Sequence, residues 1–166
     1  MPHDYAPHPT GEPRQIEAET SRDVFETLAR AVFNAGLSWR VVDRKWPAIC
    51  EAFEGFEPAA VARYDEESIQ RILGRDDVIR SKNKVRGIVK NAATFVDLED
   101  EHGSVLGWLR SMDDYWAREK ALTKRFKWLG DFGAFWMLYT LKEPVPPYAD
   151  WCRAKGKPVP EALRGT

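Results

Sequence analysis

The chain has 166 residues, 43% hydrophobic and 31% charged, which is room for one soluble domain with a real core. Its formal net charge of -1 excludes a bulk basic field for nucleic acid, so any polyanion contact has to come from local clusters. Two cysteines, Cys50 and Cys152, exclude a four-cysteine metal site, and no apolar run approaches the roughly 20 residues that span a bilayer.

Residues 1–19 are polar and proline-rich (Pro2, Pro7, Pro9, Pro13), which reads as an extended arm and not as a signal peptide. Thr20 or Ser21 then caps a helix whose apolar residues Val24, Phe25, Leu28, Ala29, Val32 and Phe33 keep the helical period until Gly36. A second helix carries Trp39, Val42, Trp46, Ile49, Cys50 and Phe53 on one face, and Pro47 is expected to break or restart it. Short helices follow at Pro58–Arg63 and after Asp65, the latter ending at Gly74. The longest pattern runs from about Ser81 to Leu98, with Gly103 as its stop, and Ser104 opens another short helix. Tyr115–Arg125 is helical, Phe126–Gly130 is a turn, and Asp131 is expected to cap Phe132–Leu141, apolar nearly all round and therefore central. Pro144, Pro146 and Pro147 end it, and the tail from Lys155 is polar. No alternating stretch competes, so the class is all-α: an arm over 1–19, a helical domain over 20–154 and a loose tail over 155–166.

Three features invite a functional reading. The corner Asn34-Ala35-Gly36-Leu37-Ser38-Trp39 joins two helices, with Gly36 suited to a left-handed C-cap and Ser38 to the next N-cap; Leu37 and Trp39 on it are either core staples or probes. Lys124 and Lys127 flank the turn before Gly130, where helix amides and lysines together suit a phosphate; a solvated basic face is the alternative. Arg80 and Lys84 belong to a second basic cluster at the start of the long helix, with the same two readings. His3, Asp4 and His8 lie in the arm without the spacing of a metal site on one element.

Taken together, Ala35-Gly36-Leu37-Ser38-Trp39, then Val78-Ile79-Arg80 with Lys84, Ile88, Asn91 and Ala92, and then Lys124-Arg125-Phe126-Lys127-Trp128-Leu129-Gly130 resemble the 3-methyladenine DNA glycosylase I family of the helix-hairpin-helix glycosylase superfamily. The resemblance runs over about residues 20–141. It implies a helix-hairpin-helix glycosylase-like bundle of short helices that flips an alkylated purine out of double-stranded DNA and hydrolyses its glycosidic bond, as a cytoplasmic monomer without a membrane partner. It places Leu37 in the gap left in the base stack and Trp39, with Ala31 at the neighbouring family position, in the base pocket; Tyr148, beyond the stretch of resemblance, is a further expected pocket residue. Phosphate contacts fall to Gly130, Gly133, Lys124, Lys127, Arg80 and Lys84.

The departures bear on chemistry. The family's pocket glutamate, eight residues before the tryptophan, is Ala31 in this chain, and Pro9–Gln15 has nothing like the family's N-terminal Tyr-His-Asp-x-Glu-Trp-Gly run. The C-terminal zinc ligands are missing apart from Cys152, so neither a metal nor another cofactor is expected. Asp150, twenty positions after Gly130, is the available replacement carboxylate by analogy with other helix-hairpin-helix glycosylases. A DNA-binding protein that kept this fold and lost the activity is the alternative.

Overall fold

A computed structural model describes residues 3–5 and 14–165. The arm's prolines, Pro2, Pro7, Pro9 and Pro13, and His8 lie outside the described residues. Among those described, the secondary structure is helical throughout: α1 (Ser21–Asn34), α2 (Trp39–Ala52), α3 (Pro58–Ala62), α4 (Glu66–Leu73), α5 (Lys82–His102), α6 (Val105–Arg110), α7 (Tyr115–Arg125), α8 (Asp131–Thr140) and α9 (Tyr148–Ala154).

Capping explains most of the boundaries. Thr20 and Asp23 form a reciprocal capping box on α1, and Asp65, Ser81, Ser104 and Asp114 each accept a backbone N–H at the start of α4, α5, α6 and α7. Pro47 does not break α2, contrary to expectation. Its ring sits on the exposed side, while Val42, Trp46, Ile49 and Cys50 pin the helix from both sides, so burial of that stripe outweighs one missing hydrogen bond. Asp131 is not the cap of α8 either: Gly130 takes the N-cap position and Asp131 is the first helical residue.

The central element is α1. Every residue from Val24 to Phe33 is buried, because α1 packs against α2, α3, α5, α6 and α8 together. Its apolar stripe accounts for one face; the rest of its surface is buried polar, with Glu26, Thr27 and Arg30 each no more than 3% exposed. The described arm residues complete this seam. Tyr5 is buried, with its hydroxyl 3.1 Å from Thr27 Oγ1, and the Ile16 N–H donates to the Thr140 carbonyl at 2.8 Å. The start of the tail is also fixed, since Lys155 pairs with the buried Glu119 and Lys157 lies 4.7 Å from the Trp151 ring centre.

Candidate base-binding cleft

The corner between α1 and α2 divides its two apolar residues. Gly36 has φ 75°, a left-handed conformation that a side chain would strain, and the Leu37 N–H closes the turn onto the Asn34 carbonyl at 3.1 Å. Leu37 stands out at 38% exposure, whereas Trp39 turns inward and meets Trp136 of α8 with ring centres 5.4 Å apart. Ser38 holds the N-cap position of α2 through its backbone, without a side-chain hydrogen bond.

Beside this corner lies a cleft of about 380 Å³ between the end of α1 and the start of α8. Trp39, Trp136 and Phe132 form its aromatic walls, Ala31 and Gly133 supply small residues, and Asn34 and Asp131 are its polar members. Gly133 works here as a spacer. A methyl group on it would come within 3.0 Å of Leu129 Cδ1 and 3.7 Å of Ala31 Cβ, so its bareness lets α8 approach α1. A second depression, lined by Glu51, Tyr64, Arg71 and Arg75, is occupied by charges already paired: Arg75 binds Asp77 and Glu51, and Tyr64 donates to Glu54.

Behind Trp39 lies the guanidinium of Arg30, 1% exposed and 5.1–5.4 Å from the ring centres of Trp46, Trp39 and Tyr5. It is paired with Asp43 and donates to Asn34 Oδ1 at 3.1 Å. Such burial is tolerated because the charge is paired and stacked on aromatic faces. A guanidinium can only donate, so it fixes the amide of Asn34 with the oxygen toward itself. The Asn34 nitrogen is then left buried without a hydrogen-bond partner. Deeper still, Glu26 accepts from Trp46 Nε1 at 3.2 Å and from the His3 amide at 3.1 Å. Burial, and then the Glu26 charge, push the Tyr5 phenol far above its ordinary value.

Asp131 is the one carboxylate among the described residues lining the cleft. It accepts from its neighbour's amide, Phe132 N, at 2.7 Å and from Lys157 Nζ at 3.0 Å, with Lys155 Nζ at 3.9 Å. Burial alone would raise its pKa, but the Lys157 hydrogen bond, the Phe132 amide and the two lysine charges outweigh it and hold the group ionised. The positive end of α8 acts in the same direction.

The corner and the hairpin turn share one support. Lys84, Gly87 and Asn91 recur at helical spacing along α5. The Lys84 ammonium caps α1, donating to the carbonyls of Phe33 at 3.3 Å and Ala35 at 2.5 Å, and its desolvation lowers its pKa. Gly87 receives the indole of Trp128, since a methyl group there would stand 2.5 Å from Trp128 Cδ1. Asn91 clamps the turn through both amide atoms, accepting from Lys127 N at 2.6 Å and donating to Lys127 O at 3.0 Å. Lys84 is therefore engaged with the corner and not with phosphate, as its place in a basic cluster had suggested. Lys124, Lys127 and Arg80 do keep exposed side chains, and Gly130 is exposed at the mouth of the cleft.

The remaining expected site residues stand apart. Ala149, Trp151 and Cys152 turn inward on α9, which leaves Asp150 60% exposed at its side chain and paired with Arg153 at 3.0 Å. Asp150 does not reach the cleft, and the sequence distance that suggested it as catalytic carboxylate does not translate into position. Tyr148 packs behind Phe132, with ring centres 6.3 Å apart, and stacks on Trp151 instead of lining the cleft. Sequence reasoning missed Phe132, Trp136, Asp131 and Asn34 as cleft residues, and Tyr5 and Arg30 as their support. Among the described residues no three His, Cys, Asp or Glu side chains are grouped to hold a metal; His3 is engaged with Asp23 at 2.8 Å, and both cysteines are buried free thiols. The described residues do not fit the family's zinc site.

A family profile for methyladenine glycosylases matches residues 13–130. DNA-3-methyladenine glycosylase 1 of Escherichia coli is 32% identical over 79 residues, covering 48% of this chain and 42% of that enzyme. The DNA-3-methyladenine glycosylase of Haemophilus influenzae is 33% identical over 79 residues, 43% of its length, so the matched stretch spans less than half of these curated relatives. Among solved structures, 3-methyladenine DNA glycosylase I of Staphylococcus aureus superposes with TM-score 0.68 at 26% identity, over 77% of this chain and 79% of that one.

Proposed function

The chain belongs to the methyladenine glycosylase family, and from that membership we propose that it is a DNA repair glycosylase that hydrolyses the N-glycosidic bond of an alkylated purine. The observation that carries this reading is the aromatic cleft of Trp39, Trp136 and Phe132, placed beside an outward Leu37 and next to a hairpin with exposed lysines. Leu37 fills the gap in the stack as the damaged nucleotide leaves the duplex, a step costing a few kcal/mol and least for damaged bases. The base then enters between the aromatic walls, which favour a methylated, cationic purine through the ring quadrupole. Such a base is a good leaving group, so flipping and the electrostatics of the cleft supply most of the catalysis. Lys124, Lys127, Arg80 and the start of α8 at Gly130 hold phosphates. The partner is damaged double-stranded DNA, engaged by a cytoplasmic monomer; the two free thiols accord with a reducing compartment, and among the described residues no helix is long and apolar enough to cross a membrane.

The test is chromatographic. The purified protein is expected to release free methylated base from alkylated duplex DNA, and no release above a protein-free control refutes the enzymatic reading. A second reading draws on Ala31, which puts no carboxylate on the α1 wall of the cleft: a damage-recognition protein that binds the duplex without cleaving. Salt-dependent duplex binding with no released base is its signature.

A further inference from the structure

The cleft holds two polar side chains whose states are unusual for its lining. Asn34 has its amide oxygen held by Arg30 and its amide nitrogen buried without a partner. A buried donor in a native structure is normally satisfied, so this orphan just beneath the wall of the cleft is a donor that a small rotation of the side chain would offer to a ligand acceptor. Asp131 brings the cleft a negative charge, 37% exposed at its side chain and kept ionised by Lys157 and Lys155. The other described lining residues are aromatic or small, so among them these two define the polar chemistry of the site.

We propose that Asn34 and Asp131 are the specificity-determining pair of the cleft, Asn34 donating to a ring acceptor of the everted base and Asp131 selecting positive charge on it. The ligand class follows: a flat purine with an unprotonated ring nitrogen or carbonyl on one edge and a positive charge delocalised from alkylation. The assignment rests on the cleft being a base pocket. It places the recognition of charge on α8 and not on α1, where Ala31 provides none. Lys157 is part of the device, because it competes with the base for Asp131.

Two indoles, Trp39 and Trp136, line the cleft, so quenching of tryptophan fluorescence reports occupancy directly. The probes are a permanently cationic N-alkylated adenine and unalkylated adenine, titrated at neutral pH. The wild-type protein is expected to prefer the cation by about tenfold, the scale of one charge-assisted hydrogen bond. Asp131→Asn cuts the preference severalfold, to what the aromatic walls alone supply, and retains adenine affinity; Asn34→Ala weakens both probes about tenfold and keeps the preference. Lys157→Met, which leaves the cleft lining intact, raises the preference. A wild-type protein without preference, an Asp131→Asn variant that keeps it undiminished, or an Asn34→Ala variant that binds both probes normally overturns the assignment. If Asp131→Asn fails to fold, an unchanged preference in Lys157→Met overturns the Asp131 half by itself. Absence of base release from DNA alongside the expected probe preferences sinks the glycosylase reading and leaves this one standing.

Discussion

Replacing Gly87 by alanine tests whether α5 supports the hairpin through Trp128. Glycine inside a helix costs about 0.5–1 kcal/mol relative to alanine, so the substitution taken alone is stabilising. The added methyl group would, however, stand 2.5 Å from Trp128 Cδ1 and 3.2 Å from Nε1, against about 3.5–4.0 Å for ordinary carbon contact. The indole has no small adjustment available, because Cδ1 lies close to its attachment and the backbone at Lys127 is clamped by Asn91. It swings off α5. Trp128 is 54% exposed, so somewhat under half of its surface is covered. Re-exposing about 100 Å² of it costs roughly 2.5 kcal/mol at about 25 cal/mol per Å². The net expectation for Gly87→Ala is a loss of about 1.5–2 kcal/mol, or some 3–8 °C in Tm for a chain of this size. In a Trp128→Ala background the obstacle is gone, since Lys127 Cβ at 3.5 Å is an ordinary contact, and the same substitution should stabilise by about 0.5–1 kcal/mol. Urea unfolding of the four proteins closes the cycle. Equal effects in both backgrounds would refute the docking of Trp128 on Gly87.

The division of labour among the lysines is checked by the salt dependence of duplex binding: Lys124→Ala and Lys127→Ala should each flatten the log–log slope by roughly 0.9, whereas Lys84→Met leaves the slope alone. Lys84→Met should instead cost about 1–2 kcal/mol in urea unfolding, because the carbonyls of Phe33 and Ala35 lose their donor. Leu37→Ala is expected to cut base release from duplex DNA at least about tenfold with unchanged quenching by free base, since it acts on the gap in the stack and not on the cleft; Trp39→Ala loses both. Glu66, which receives two hydrogen bonds from Arg86 at 2.6 and 2.7 Å and one from Gln70, is held from its usual 4.5 down to about 2. Its folded pKa is depressed, so its contribution is present above the usual carboxylate value and lost as pH falls from 4.5 toward 2. Glu66→Gln should flatten the pH dependence of the urea midpoint in that window, and added salt should shrink the difference because the pair is exposed.

The helices were legible because each carries its own local signals: a 3.6-residue stripe, a capping side chain, a glycine stop. Burial of polar groups carries no such signal. Arg30 and Glu26 fall off the apolar stripe of α1 and read as solvent-facing, yet α1 is enclosed on all sides and they form the seam behind Trp39. Tyr5 stands in a stretch whose prolines suggest an independent arm, and nothing local indicates that it packs on Trp46 and Trp136. Lys84 opens a helix in basic company, where a lysine usually faces water; its contact with Phe33 and Ala35 depends on where α1 ends in space. Leu37 and Trp39 were legible as a pair but not as opposites. Asp131 reads as a cap from the sequence, and its pairing with Lys157, twenty-six residues on, is tertiary.

That pairing bears on why a charge in the cleft belongs at its mouth. Position 31 is 3% exposed and 3.7 Å from where a Gly133 methyl group would lie, between α1 and α8. A carboxylate there would need donors to offset its desolvation, and the neighbouring guanidinium of Arg30 is already committed to Asp43 and Asn34. At Asp131 the same charge sits at the positive end of a helix, partly solvated and attended by two lysines that arrive from the tail. The cost of keeping it ionised is lower there, because those partners and the remaining solvent offset what burial takes away.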